Sequence, residues 1–217
     1  MEALKQRLTE PMFNNHFSEK LIEAELIFNE IYAACNYSFA TPTGSYLFNG
    51  HRYEYDISTY PKQQLLFHKA QNATHILEIG VYMGHSILIM LLANPKLKIT
   101  CVDIDATFSK PATDVLKEYF PEAEINFLCG DSLAILPTIQ SKFDLFHIDG
   151  CHDNDFITKE FEYCKGLTGG TIMSVIFDDE FACKALQETI KSNYHVLSHI
   201  YPGGEWSNAF YRIELGK

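Results

Sequence analysis

Five short apolar runs separated by segments of helical pattern constrain the fold of this chain more than any other feature. They are Ile76–Ile79, Ile99–Val102, Ile125–Leu128, Phe143–Ile148 and Thr171–Phe177. Runs this short and this continuously apolar are the pattern of strands covered on both faces. Helices are expected at Ser86–Ala93, Ser109–Tyr119, Ser132–Gln140, Asp155–Lys165 and Phe181–Ser192. Such alternation is the sequence form of successive βαβ units, which right-handed crossovers wind into a parallel sheet with helices on both faces. The fold class is therefore α/β. Gly169-Gly170 ends the fourth helix before its strand, as glycine at a helix C-terminus does.

The two ends of the chain depart from this rhythm. Tyr194–Ile200 and Asn208–Leu215 are β-rich and joined by Tyr-Pro-Gly-Gly-Glu-Trp, so they are expected to pair as an antiparallel hairpin. Residues 1–59 read as amphipathic helices at Leu4–Leu8 and Phe17–Ala34, followed by an aromatic loop containing Gly44 and Gly50. The expected organisation is an N-terminal cap segment over 1–59 and a main domain over 60–217, together one domain. A chain of 217 residues suits that size, burying roughly 70% of its unfolded surface.

Composition removes several function classes. The formal net charge is −11 and no basic patch interrupts it, which argues against a nucleic-acid partner. The six cysteines are scattered without a C-x-x-C pair and read as free thiols of a reducing compartment. No apolar run approaches the roughly 18 residues of a membrane span, and the N-terminus lacks the apolar core of a secretory signal. A cytoplasmic protein with no membrane partner is expected.

The first strand runs into a glycine turn, ILEIGVYMGHS over Ile76–Ser86. A dinucleotide fingerprint G-x-G-x-x-G would need glycine at positions 78 and 83, where this chain has Glu78 and Met83. The pattern Glu78-x-Gly80-x-x-x-Gly84 instead resembles the first motif of the class I S-adenosylmethionine (SAM) methyltransferases, whose turn holds the amino-acid end of the cofactor. The resemblance covers about Tyr60 to the C-terminus. It implies a Rossmann-like sheet of seven strands, five parallel plus the terminal hairpin, and SAM as cofactor.

Open α/β sheets bind ligands at the carboxyl ends of their strands. Those ends read Glu78-Ile-Gly80, Asp103-Ile-Asp105, Gly130-Asp131-Ser132, Asp149-Gly-Cys-His152 and Asp178-Asp179, each carrying an acid. Asp103, about twenty residues past the turn, suits the two ribose hydroxyls, and Asp105 is the competing choice with a helix cap as its other role. The resemblance places Asp131 and Ser132 at the adenine, although Ser132 reads equally as an N-cap. It matches Ser86 to a hydroxyl that binds the SAM carboxylate at a helix N-terminus.

Asp149, Asp178 and Asp179 are expected to converge, since strands four and five should be neighbours. Three close carboxylates demand a counter-charge, and Mg²⁺ or another divalent cation suits an oxygen-rich cluster. Here the resemblance narrows to the metal-dependent O-methyltransferases, the group of catechol, macrolide-sugar and cephalosporin-pathway enzymes, and implies these three as metal ligands. His152, three residues past Asp149, is then the candidate general base for a substrate hydroxyl, with an exposed turn residue as its other reading. Lys62 and Gln63 open a helix before the first strand and read as a solvated helix face, with lining of the cofactor mouth as the other reading. The aromatic run Tyr46, Phe48, Tyr53, Tyr55 and Tyr60 suits either closure over a substrate or packing of the cap, and Glu205 and Trp206 are further substrate contacts to consider.

The expected activity is methyl transfer from SAM to a hydroxyl of a small molecule, assisted by a divalent metal. A metal-independent N- or O-methyltransferase and a silent methyltransferase-like binding module are the alternatives. The expected partner is a small hydroxylated substrate, and self-association is compatible with the sequence.

Overall fold

The computed structural model describes residues 4, 8, 10–37, 45–48, 54–178, 183–203 and 207–216. Seven strands form one sheet: β1 His75–Ile79, β2 Lys98–Asp103, β3 Glu124–Cys129, β4 Leu145–Ile148, β5 Ile172–Phe177, β6 His195–Ile200 and β7 Ala209–Glu214. Their order is β3-β2-β1-β4-β5-β7-β6. The first five are parallel, and β7 lies antiparallel between β5 and β6. This is the expected mostly parallel, Rossmann-like sheet with a C-terminal hairpin.

The helices are α1 His16–Glu23, α2 Glu25–Cys35, α3 Tyr60–Ala70, α4 His85–Ala93, α5 Ala106–Tyr119, α6 Ser132–Ile135, α7 Asn154–Gly166 and α8 Lys184–Asn193. Side chains alternate across a strand, so β1 divides its residues between two layers. Ile76 joins a core with Phe28, Leu66, Leu88 and Leu116, while Leu77 and Ile79 join one with Phe146, Phe161, Val175 and Ile190. The first core draws on α2, α3, α4 and α5, so the N-terminal segment packs continuously onto one face of the sheet.

Several boundaries differ from the sequence reading, each for a local reason. The single helix expected at 17–34 is two, divided at Ala24. The helix expected over 132–140 gives way after Ile135 to a 3-10 turn at Leu136–Thr138, where Pro137 lacks the N–H that continuing the ladder requires. Strand four begins at Leu145, and Phe143 makes only an isolated bridge to Thr168. Helix α5 starts earlier than expected because the Asp105 carboxylate caps it. Most of the helix expected at Leu4–Leu8, and the start of the one expected at Phe181, lie outside the described residues. Among the described residues no helix is long and apolar enough to cross a membrane.

Candidate active site

The parallel strands finish at one level. Ile79 lies opposite Val102 on one side and Ile148 on the other, and Ile148 lies opposite Phe177. The strand order reverses between β1 and β4, the crevice where open α/β sheets take their ligands. A cavity of about 600 Å³ opens there, within the size range of cofactor sites.

The glycine turn is the floor of this cavity. Gly80 has φ +86°, and a Cβ on it would stand 2.0 Å from the Asp149 carbonyl oxygen. Its N–H donates to Val102 O at 2.8 Å while Asp149 N–H donates to Ile79 O at 2.8 Å, so the end of β1 is clamped between β2 and β4. Gly84 takes φ +65° at the N-cap of α4. Asp103 fastens the turn: its Oδ2 accepts from Val81 N and Tyr82 N, both at 2.8 Å, and from Ser109 Oγ at 2.9 Å. Its Oδ1 accepts from Asp105 N at 3.0 Å and, with two lone pairs, retains capacity for a ligand hydroxyl. Asp105 itself caps α5 through Thr107 N at 2.8 Å, the role weighed against it as a ribose ligand.

At the β3 end the two expected adenine residues divide their work. Asp131 is the N-cap of α6, accepting from Leu133 N at 2.9 Å. Ser132 is therefore not the cap, because the preceding carboxylate takes that place. The Ser132 hydroxyl donates to Glu160 Oε1 at 2.5 Å instead. Glu160, on α7, lines the cavity at 1% exposure, and its Oε2 has no partner. Burial pushes this carboxyl up to about 7. Nothing in the amphipathic pattern of α7 distinguishes Glu160 from its solvated neighbours, and the sequence reading missed it.

Behind the wall of the cavity lies a buried polar network. Glu78 Oε1 accepts from the Ser86 hydroxyl and from His147 Nδ1, the latter at 3.3 Å, while Glu78 Oε2 is unpartnered. His147 Nε2 meets the Tyr46 hydroxyl at 2.7 Å, and Asn208 Nδ2 donates to that hydroxyl at 3.1 Å. Burial opposes charge on His147, but the Glu78 hydrogen bond and charge outweigh it and raise the imidazole above its ordinary range. Gln63 donates to the Tyr46 carbonyl and to Thr59 Oγ1 and accepts from Tyr55 OH at 2.7 Å.

The acidic cluster departs most from expectation. Lys62 and Gln63 do not form a solvated helix face: they are 5% and 0% exposed. The Lys62 ammonium donates to Asp178 Oδ2 at 3.0 Å and Oδ1 at 3.3 Å. Burial alone would raise the Asp178 carboxyl, but Lys62 and His147 hold it below the usual carboxylate range. Burial, with the Asp178 charge adding to it, pushes Asp149 up to about 7. His152 Nε2 stands 3.6 Å from Asp149 Oδ1, and both residues line the cavity.

His147, Asp149 and Asp178 each bring one ligand-type atom within 4.8 Å of the others. As arranged they do not fit a divalent cation. Both nitrogens of His147 and both oxygens of Asp178 are already engaged, and an ammonium already faces the cluster. Like unit charges about 4 Å apart near a protein surface repel by roughly 4 kcal/mol, and a divalent ion doubles that. Asp179, the third expected ligand, lies outside the described residues.

Gly80, Ser86, Asp103, Asp131, Ser132, Asp149 and His152 thus share one cavity wall, while Glu78, Gly84 and Asp178 stand behind it. The aromatic run serves packing: Phe48, Tyr55 and Tyr60 are buried, and Tyr60 meets Phe13 and Phe17 ring to ring. Tyr46 also reaches the cavity. Tyr53, Glu205 and Trp206 lie outside the described residues. Sequence reasoning also passed over His85, which lines the cavity, bonds Ser45 Oγ at 2.9 Å, and is pushed down to about 3 by burial.

Comparison with known proteins agrees with this geometry. Residues 77–179 match a family model described as a methyltransferase domain. That match spans just under half of the chain, and the whole chain has the Rossmann-like fold of the methyltransferase structures it superposes on. The O-methyltransferase TomG of Streptomyces achromogenes, solved with SAM and involved in tomaymycin synthesis, superposes with TM-score 0.66 at 20% identity over 100% of both chains. A putative O-methyltransferase from Klebsiella pneumoniae gives 0.66 at 16% identity over 98% of this chain and 100% of its own. The O-methyltransferase of Bacillus cereus, solved with S-adenosylhomocysteine (SAH), gives 0.64 at 16% identity over 92% and 95%.

Proposed function

We propose that this chain is a SAM-dependent O-methyltransferase acting on a hydroxyl of a small molecule. The observation that carries this reading is that one cavity joins the glycine turn and Asp103, on one side, to His152 and Asp149 on the other. The residues present fit the cofactor: Gly80, lacking a Cβ, lets the turn close against the β4 end at the cavity floor, and Glu160 Oε2 is a buried acceptor without a donor. Asp103 would hold the ribose, Asp131, Ser132 and Glu160 the adenine, and the N-terminus of α4 around Ser86 the carboxylate. SAM, when bound, supplies a methyl group on a sulfonium.

The chain's own contribution is orientation and proton removal. The His152 imidazole, which borders the cavity, accepts the substrate hydroxyl proton, and Asp149, whose Oδ1 stands 3.6 Å from Nε2, stabilises the imidazolium. The apolar wall from Ile79, Val102, Met83 and Phe156 keeps water from competing at the reacting oxygen. The similar proteins that are named O-methyltransferases support oxygen as the acceptor. Lys62 engages Asp178, which argues against a metal-assisted version through Asp149, Asp178 and Asp179.

Calorimetry with SAM and SAH, followed by label transfer from methyl-tritiated SAM to a panel of phenols, catechols and sugar alcohols, tests the reading. The expected result is binding of both cofactor forms and transfer to at least one hydroxyl class. Absence of SAM and SAH binding would remove it.

A further inference from the structure

We propose that Lys62 is the resident cation of the acidic cluster, so that methyl transfer in this protein proceeds without a divalent metal. The inference rests on the methyltransferase reading above and specifies how its acids are neutralised. Lys62 sits in the first turn of α3, just after Pro61, and its side chain is buried to the same degree as that of its partner, 6% exposed in each. Its ammonium spans both oxygens of Asp178 and lies 4.3 Å from the centre of the Tyr46 ring. Its carbonyl accepts from Asn208 Nδ2 at 3.4 Å. The charge is thus fixed by α3, the end of β5, the 45–48 segment and the start of β7.

A cluster of carboxylates at a sheet edge needs compensating positive charge, and a compact ammonium with three donors supplies it where oxygens converge. Lys62 does not border the cavity, so it acts through Asp178 and Tyr46 as a positioning residue. It also lacks what a metal ion offers a substrate, simultaneous ligation of two adjacent oxygens. A vicinal diol therefore gains no advantage here over a single hydroxyl. If Lys62 is the cation, removing its charge should uncover a latent metal site made of Asp149 and Asp178.

The experiment uses Mn²⁺ and Mg²⁺ as probes on the full chain, with SAH calorimetry on the same samples so that loss of the methyltransferase reading is seen separately. Wild type is expected to show no Mn²⁺ binding by electron paramagnetic resonance at micromolar ion, no shift of thermal midpoint with Mg²⁺, and unchanged methyl transfer in excess chelator. Lys62→Met is expected to melt lower and to acquire Mn²⁺ binding, with ion at 100 times its dissociation constant raising the midpoint by roughly 5–10 °C. The double variant Lys62→Met with Asp178→Asn should recover part of the midpoint and lose the ion response. Micromolar Mn²⁺ binding by wild type, activity lost to chelator, or a folded Lys62→Met blind to both ions would overturn the proposal. Should Lys62→Met not fold, the wild-type measurements decide the matter alone.

Discussion

Gly80 and Asp149 touch backbone to backbone: the place of a Gly80 Cβ is 2.0 Å from the Asp149 carbonyl oxygen and 2.5 Å from its carbon. Two strand ends meet there with no side chain to move aside, and φ +86° adds strain for any L residue. Gly80→Ala is therefore expected to cost about 1–3 kcal/mol of stability, as overpacking at a rigid contact does. It should also weaken SAH binding at least tenfold, because the turn and the β4 end must separate. Urea unfolding and calorimetry check both; an alanine variant with native SAH affinity would show that the turn is not the cofactor's floor.

Asp103 carries two loads, the turn and the proposed ribose contact. Asp103→Ala removes acceptors from Val81 N, Tyr82 N and Ser109 Oγ together, so both stability and SAH affinity should fall. Asp103→Asn keeps one carbonyl acceptor and should preserve most of the fold while still losing on the order of tenfold in SAH affinity, the worth of about one charged hydrogen bond. An asparagine variant that binds SAH as wild type does would confine Asp103 to the turn.

Glu160 gives a pH signature. Its folded carboxyl titrates near 7 because it is buried, against an ordinary value of 4.5. Between those values the native state holds more protons than the unfolded chain, so this residue makes stability fall as pH rises from about 4.5 through about 7. The full swing is on the order of 3 kcal/mol. Glu160→Gln should flatten that segment of the stability profile, gaining most over wild type near pH 8. Parallel profiles in the two proteins would show that Glu160 does not titrate in this window.

His152→Ala is expected to lower turnover about 10²- to 10⁴-fold with the chain still folded and binding SAH, the usual worth of a positioned base. The loss should be larger on an aliphatic hydroxyl than on a phenol, which releases its proton more readily unaided. Equal rates in mutant and wild type on both substrate types would leave His152 as a turn residue.

The parallel half of the fold was legible because each buried strand writes its own apolar run, and the acids that end those runs do face one edge. What escaped the sequence was pairing over distance. Lys62 looks like an ordinary exposed lysine among Tyr60, Pro61, Gln63 and Gln64, since its partner Asp178 stands 116 positions away. His147 sits within an apolar run, and only the register that sets it opposite Glu78 reveals the pair. Ser132 and Asp131 show what the sequence leaves open: either residue type caps a helix, and the backbone chose the aspartate one position earlier.

The antiparallel insertion of β7 has a consequence for the order of assembly. Because β7 runs against β5, its first residues arrive at the same edge where the parallel strands end, and Asn208 reaches Tyr46 across 162 positions of chain. A nascent chain emerging from its N-terminus would hold Tyr46 and Lys62 long before Asp178 and Asn208 exist to receive them. The active edge is therefore completed only after β7 has been made, and its folding should be slow in the manner of contacts that close large loops. Loss of residues 208–214 would strip away β7 and leave a buried ammonium facing an open seam.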